Sequence, residues 1–439
     1  MRDQLKAVAA HQKRPLVMPR TKGDDSRDQE SEVPAHLLFS WADLLNELEK
    51  LVNPNSASTI SNMKELHSIK ILLKTPPISS LRQTYQQLSP SVRQFGLDDE
   101  LSGLEWFCNQ RVAEGERLLS SFAAPVRDLI NYSKTGIPPS LRPRFWMRLL
   151  GLWPSERDLT YYERLISQVR LWDMVTDDLY RLEVQETADN AAYFVFEDML
   201  DEIMLAFSRD VWIPRNSIIP VSVAPLMGNA CGEIASGSDE KFVSPMQNDR
   251  PVDGCLDNSG LKFNEEGMTA VPPCHVVPFR QQVILAAPLC YLFQRPEQTY
   301  FLYRELYARY FCRLHIISSR KDTMLFLSKM FEDLVQSECP QMFYHAVELG
   351  VPPIRIAFPW IFTAFAGYLS VEQVLILWDR VVAYDSLELL AVLSAAIFVF
   401  RSKSVLNAIS GDEVRDIFED GSHFRVLPLL QHFLFDSAK

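Results

Sequence analysis

The stretch TGIPPSLRPRFWMRLLG, from Thr135 to Gly151, decides the reading of this chain. Pro138 and Pro139 favour an extended entry and then a preset first helical turn. Pro143 is tolerated because it still lies near that first turn. Trp146, Leu149 and Leu150 recur at i, i+3 and i+4, which predicts one buried helical face. Arg142 and Arg144 stand near the positive end of the helix dipole, where a cation is disfavoured. They call for a carboxylate, within the chain or on another molecule, and Arg142 is read as a contact for a binding partner.

The same helical period runs outward in both directions. Leu38, Trp41, Leu44, Leu45 and Leu48 share one face ahead of the break NPNSAST. Downstream, helical segments are expected at 139–152, 156–180, 192–209, 280–294, 297–316, 322–336, 339–349, 356–367, 371–383 and 386–401. The chain has 439 residues and 47% apolar content, enough for a sizeable core, and strand-like alternation does not recur often enough to build a sheet. The fold class is therefore all-α. Residues 1–35 lack a hydrophobic pattern and are expected to be disordered. Residues 36–128 form a helical lead-in that packs on the main domain, 129–435. Residues 213–275 are rich in Pro, Gly, Ser, Asn and Asp, too long for an ordinary loop, and are expected to be a disordered insertion.

Several function classes drop out. A net charge of −12 gives no reason to expect nucleic-acid binding. The seven cysteines are odd in number and widely spaced, without CxxC or zinc-ligand spacing, and read as reduced thiols of a cytoplasmic protein. No metal site is expected, and no P-loop, GxSxG or HExxH motif occurs. The start, MRDQLKAVAAHQKRPL, lacks the apolar core of a signal peptide. The longest apolar run, Leu387–Phe400, contains Glu388 and Ser394 and is too short to span a bilayer, so it reads as a core helix.

GIPPSLRPRFWMRLLG resembles the opening motif of the TBC domain, the all-helical domain of Rab GTPase-activating proteins, through Gly136, Ile137, Pro138, Leu141, Arg142, Trp146, Leu149, Leu150 and Gly151. AAPLCYLF at 286–293 resembles that family's AAPL segment, and Leu377, Trp378 and Asp379 its Leu-Trp-Asp motif. The motifs keep the family order over about residues 130–435. Gly136, Trp146, Trp378 and Asp379 are the structural residues that the resemblance implies, with Asp379 and Arg380 expected to close a salt-bridged helix end.

The resemblance implies a small Rab-type GTPase as partner. That partner carries GTP and Mg²⁺, so the chain needs no cofactor of its own, and it is the route to any peripheral membrane recruitment. The family contributes an Arg from an Ile-x-x-Asp-x-x-Arg pattern and a Gln from Tyr-x-Gln-Gly. Arg suits the first role because its fork of donors and permanent charge match phosphoryl oxygens. Val175, Asp178 and Arg181 keep the first spacing, which makes Arg181 the catalytic candidate and Asp178 a residue of the partner contact. Counting back without gaps from the YFVF block reaches Gln185 instead. The second motif is replaced by VPFRQQVI. An ungapped count from AAPL puts Arg280 at the Gln position; one deletion puts Gln281 there, and in either register the following Gly is absent. Gln281 is thus the second catalytic candidate and Arg280 a partner-binding one. Two functions stay open: stimulation of GTP hydrolysis, or a catalytically impaired TBC protein that binds a Rab as an adaptor in vesicle trafficking. A helical scaffold without a GTPase partner is a weaker third.

Overall fold

The computed structural model describes residues 17–20, 38–52, 73–98, 105–121, 125–153, 155–217 and 272–436. The fold is all-α. Helices α1 (Trp41–Val52), α2 (Ile78–Thr84), α3 (Glu105–Ser120) and α4 (Val126–Lys134) lead into α5 (Arg142–Leu149), the helix of the opening stretch. Then come α6 (Glu156–Leu171), α7 (Val175–Ala188), α8 (Glu197–Arg209) and the short α9 (Trp212–Asn216). After residue 272 follow α10 (Pro296–Leu306), α11 (Met324–Glu338), α12 (Pro340–Glu348), α13 (Pro353–Phe362), α14 (Val371–Tyr384), α15 (Glu388–Asn407), α16 (Gly411–Ile417) and α17 (Val426–Phe435).

One apolar core joins these elements. Leu44, Leu45 and Leu48 of α1 and Leu81 of α2 belong to the same buried cluster as Trp146, Trp360 and Trp378. The lead-in helices are thus packed on the main array, as their one-sided Leu pattern requires. Among the described residues, α15 alone is long and apolar enough to cross a membrane by length and composition. Its residues from Glu388 to Phe398 are buried without a break, against α11, α12 and α17, which makes it the central helix of the core.

Four local expectations change. The helix expected over 156–180 is two helices, because Trp172–Met174 is extended and pairs antiparallel with Val17–Pro19. Asp177 restarts the helix by accepting from the Met174 N–H at 3.0 Å, and Arg209 grips that same carboxylate with two contacts of 2.6 Å. Residues 17–20, expected to be disordered, therefore hold a strand, with Arg20 on Asp173 at 3.2 Å; the rest of 1–35 lies outside the described residues. The segment expected to be an insertion over 213–275 is structured at both of its ends: Trp212–Asn216 is helical, and the Cys274 N–H donates to the Ser208 carbonyl at 3.2 Å. Residues 218–271 lie outside the described residues. Finally, 280–294 is not a continuous helix but two 3₁₀ turns, Val283–Leu285 and Ala287–Tyr291. A left-handed residue at Gln281 and the missing N–H of Pro288 explain the break.

Candidate functional site

The opening stretch finds its carboxylate inside the protein. Arg142 is 4% exposed and donates to Asp379 through Nε (3.0 Å) and Nη2 (3.0 Å). The Trp146 indole N–H donates to the same carboxylate at 2.8 Å. Arg142 is therefore not a partner-binding residue: a buried, bidentate intramolecular pair uses its donors. Asp379 in turn does not close its own helix. It sits within α14 and ties that helix to α5, while Arg380 reaches the Phe95 carbonyl at 2.8 Å. Trp378 is buried and donates to the Ala364 carbonyl at 2.9 Å. Gly136 has φ 105°, and a Cβ there would stand 2.6 Å from both the Phe95 carbonyl oxygen and Arg380 Nη2. Gly136, Trp146 and Asp379 thus belong to one buried junction that joins α5 to α14, while Trp378 ties α14 to the turn after α13.

The surface chemistry lies elsewhere, on α7 and the segment 279–282. At about 100° per residue, Leu182, Gln185, Glu186 and Asp189 form the outward ridge of α7. Arg181 stands on one flank and Glu183 on the other, roughly 160° apart around the helix. Arg181 is half-exposed and lies 3.3 Å from Asp178 and 3.9 Å from Asp201 of α8. Asp178, expected at the partner contact, is nearly buried and engages Arg181 instead. Gln185, the ungapped alternative, is exposed on the ridge.

On the opposite flank, Arg280 donates to both oxygens of Glu186, at 2.6 and 2.8 Å, and lies 3.9 Å from Glu183. Its backbone N–H is held by the Phe39 carbonyl at 2.7 Å, next to a parallel bridge between Phe39 and Phe279. The lead-in chain just ahead of α1 therefore braces the second motif, a contact that sequence periodicity does not reveal.

Gln281 is exposed and has φ 67°, in the left-handed region. Its backbone N–H donates to Glu183 Oε2 at 2.5 Å. Burial pushes the Glu183 carboxyl up to about 8, with the neighbouring charge of Glu186 acting the same way and the Gln281 N–H and Arg280 opposing. Gln282 is fully buried beneath. A left-handed backbone is what a glycine would serve. Gln281 therefore has the conformation expected of the motif's glycine, which fits the ungapped register with Arg280 at the preceding position. The structure brings Arg280 and Gln281 together with α7 but leaves Arg181 on that helix's far flank. Glu183 and Glu186, which anchor the second motif, carry no sequence signal beyond an i, i+3 spacing, because Arg280 meets Glu186 across 94 positions.

Comparison with known proteins agrees with this architecture. A family model described as the Rab-GTPase-TBC domain matches residues 279–406. TBC1 domain family member 19 of Homo sapiens is 35% identical over 402 residues, covering 91% of this chain and 70% of the relative. The crystal structure of the Ypt/Rab-GAP domain of Gyp1p superposes with a TM-score of 0.51 at 14% identity, covering 74% of this chain and 96% of that one. This last likeness is one of fold.

Proposed function

The chain belongs to the Rab-GTPase-TBC domain family, and from that premise we propose that it engages a GTP-loaded Rab-type GTPase and stimulates its GTP hydrolysis through Arg181. The observation that carries this reading is the state of the Arg181 side chain. It is half-exposed, and its partners Asp178 and Asp201 hold it at 3.3 and 3.9 Å rather than in a bidentate clamp. The guanidinium is not desolvated and its contacts to these carboxylates are single rather than forked, so a phosphoryl group with spreading negative charge, which it can bind through two donors at once, competes for it. An arginine delivered in trans accelerates GTP hydrolysis by roughly 10³–10⁵-fold. GTP and Mg²⁺ belong to the partner, which also supplies any link to a membrane and places the chain on the cytoplasmic side, in vesicle trafficking.

A second reading, Rab binding without catalysis, draws on the second motif. Arg280 is clamped by Glu186, and Gln281 carries a side chain where the backbone is left-handed. Under the first reading, the attacking water is oriented by the GTPase's own glutamine, the arrangement used by Ras-type GTPases. The deciding experiment is single-turnover GTP hydrolysis across a Rab panel, with the wild-type chain and Arg181→Ala. Acceleration that falls by about 10³-fold or more in the variant supports the activator. A Rab that binds in its GTP form without acceleration supports the adaptor.

A further inference from the structure

Large apolar side chains are exposed where the two motif segments end. Phe194 and Val195 are 62% and 63% exposed, in the 3₁₀ turn that follows α7. Tyr291, 50% exposed, ends the 3₁₀ turn that follows the second motif. The two segments meet: the Tyr291 hydroxyl donates to the Ala192 carbonyl at 2.5 Å, and its ring packs edge-on against Phe196 at 4.8 Å. Isolated exposed apolar residues need no explanation, but three large ones brought to one region by two touching segments do. This group is built from the two chain segments that directly continue the α7 ridge and the Arg280–Gln281 segment. Exposed carboxylates rim it: Asp189 at the end of α7, and Glu197 and Asp198 in the first turn of α8. Aromatic centres with polar rims are where binding energy concentrates in protein interfaces.

We propose that Phe194, Val195 and Tyr291 form the apolar centre of the surface on which the GTPase docks, and that the docking face of that partner is apolar with a basic rim. This rests on the reading of the chain as a Rab-engaging protein. Its occupant follows from continuity with the α7 ridge and from the charge of the rim.

The test uses the full chain and a Rab panel loaded with a non-hydrolysable GTP analogue. Wild type, Phe194→Asp/Val195→Asp and the control Ile409→Asp, at an 82%-exposed position, are compared for binding, with melting curves to establish folding. We expect the double variant to melt like wild type and to lose at least tenfold in affinity, and the control to bind normally. Affinity should also fall as salt is raised; no salt dependence overturns the basic rim. Where hydrolysis is stimulated, the loss should appear in KM and not in the rate at saturation. Wild-type affinity in the double variant overturns the docking surface and leaves the Rab reading standing. A wild-type chain that binds no Rab overturns both. A variant that loses self-association but keeps Rab binding shows that the patch joins copies of this chain, and the proposal falls.

Discussion

Arg142 and Asp379 lie 237 positions apart in the chain and are bound side by side, with the guanidinium fork and the carboxylate both buried and the Trp146 indole on the same carboxylate. Removing one partner leaves an uncompensated buried charge, which costs about 3–5 kcal/mol. Arg142→Ala and Asp379→Ala should each destabilise the fold by that order in denaturant unfolding. The double variant should lose clearly less than the sum, because the penalty of the orphaned charge is then counted once. An additive cycle would mean that the pair is not coupled.

Gly136 sits beside this junction with φ 105°, pressed against the Phe95 carbonyl and Arg380. Gly136→Ala should cost about 1–3 kcal/mol from backbone strain alone, and more because backbone at Phe95 must shift. A melting temperature equal to wild type would exclude the close approach.

How much of this was legible in advance depends on the range of each interaction. The helical faces of α1 and α5 were readable because Leu44, Leu45 and Leu48, or Trp146, Leu149 and Leu150, encode burial within two turns. Arg142's unfavourable place at a helix start correctly announced a carboxylate, but nothing local could say that it was Asp379. Strand Val17–Pro19 was missed because three residues carry no period and exist as a strand only through Trp172–Met174. The helix expected over 280–294 failed for a related reason: VILAAPL is apolar enough for a helix, yet the left-handed backbone at Gln281 is imposed by Glu183, about a hundred residues earlier.

The Glu183 carboxyl gives this junction a pH dependence. Its folded value is about 8, against an ordinary 4.5, mainly through burial. Between these values the folded state binds more protons than the unfolded one, so stability falls as pH rises from about 4.5 through about 8. Burial raises Asp322 to about 6 from 3.8, giving the same slope over a lower window. Above pH 6.5 the Glu183 contribution should dominate of these two. Glu183→Gln should therefore flatten the fall in melting temperature between pH 6.5 and 8; below about pH 6.5 the buried His315, lowered from 6.5 to about 3, contributes a slope of opposite sign to that of Asp322. An unchanged upper slope would show that Glu183 is ionised throughout.

Gln281 separates the two registers of the second motif. In the left-handed region a non-glycine residue is strained by about 1–2 kcal/mol, partly offset by the chain entropy that a glycine loses on folding, about 0.5–1 kcal/mol. Gln281→Gly should therefore match or exceed wild type in stability, since its N–H bond to Glu183 survives. If Arg280 occupies the position ahead of the motif's glycine, the Gln281 side chain is dispensable for stimulating a Rab that wild type stimulates. Gln281→Gly should then retain stimulation within about twofold, well under the roughly 10²-fold typical of removing one positioned catalytic group. Arg280→Ala should reduce stimulation by freeing Glu186 and loosening the segment on α7. Loss of stimulation in Gln281→Gly with an unchanged melting curve would assign the water-orienting role to Gln281 and establish the gapped register.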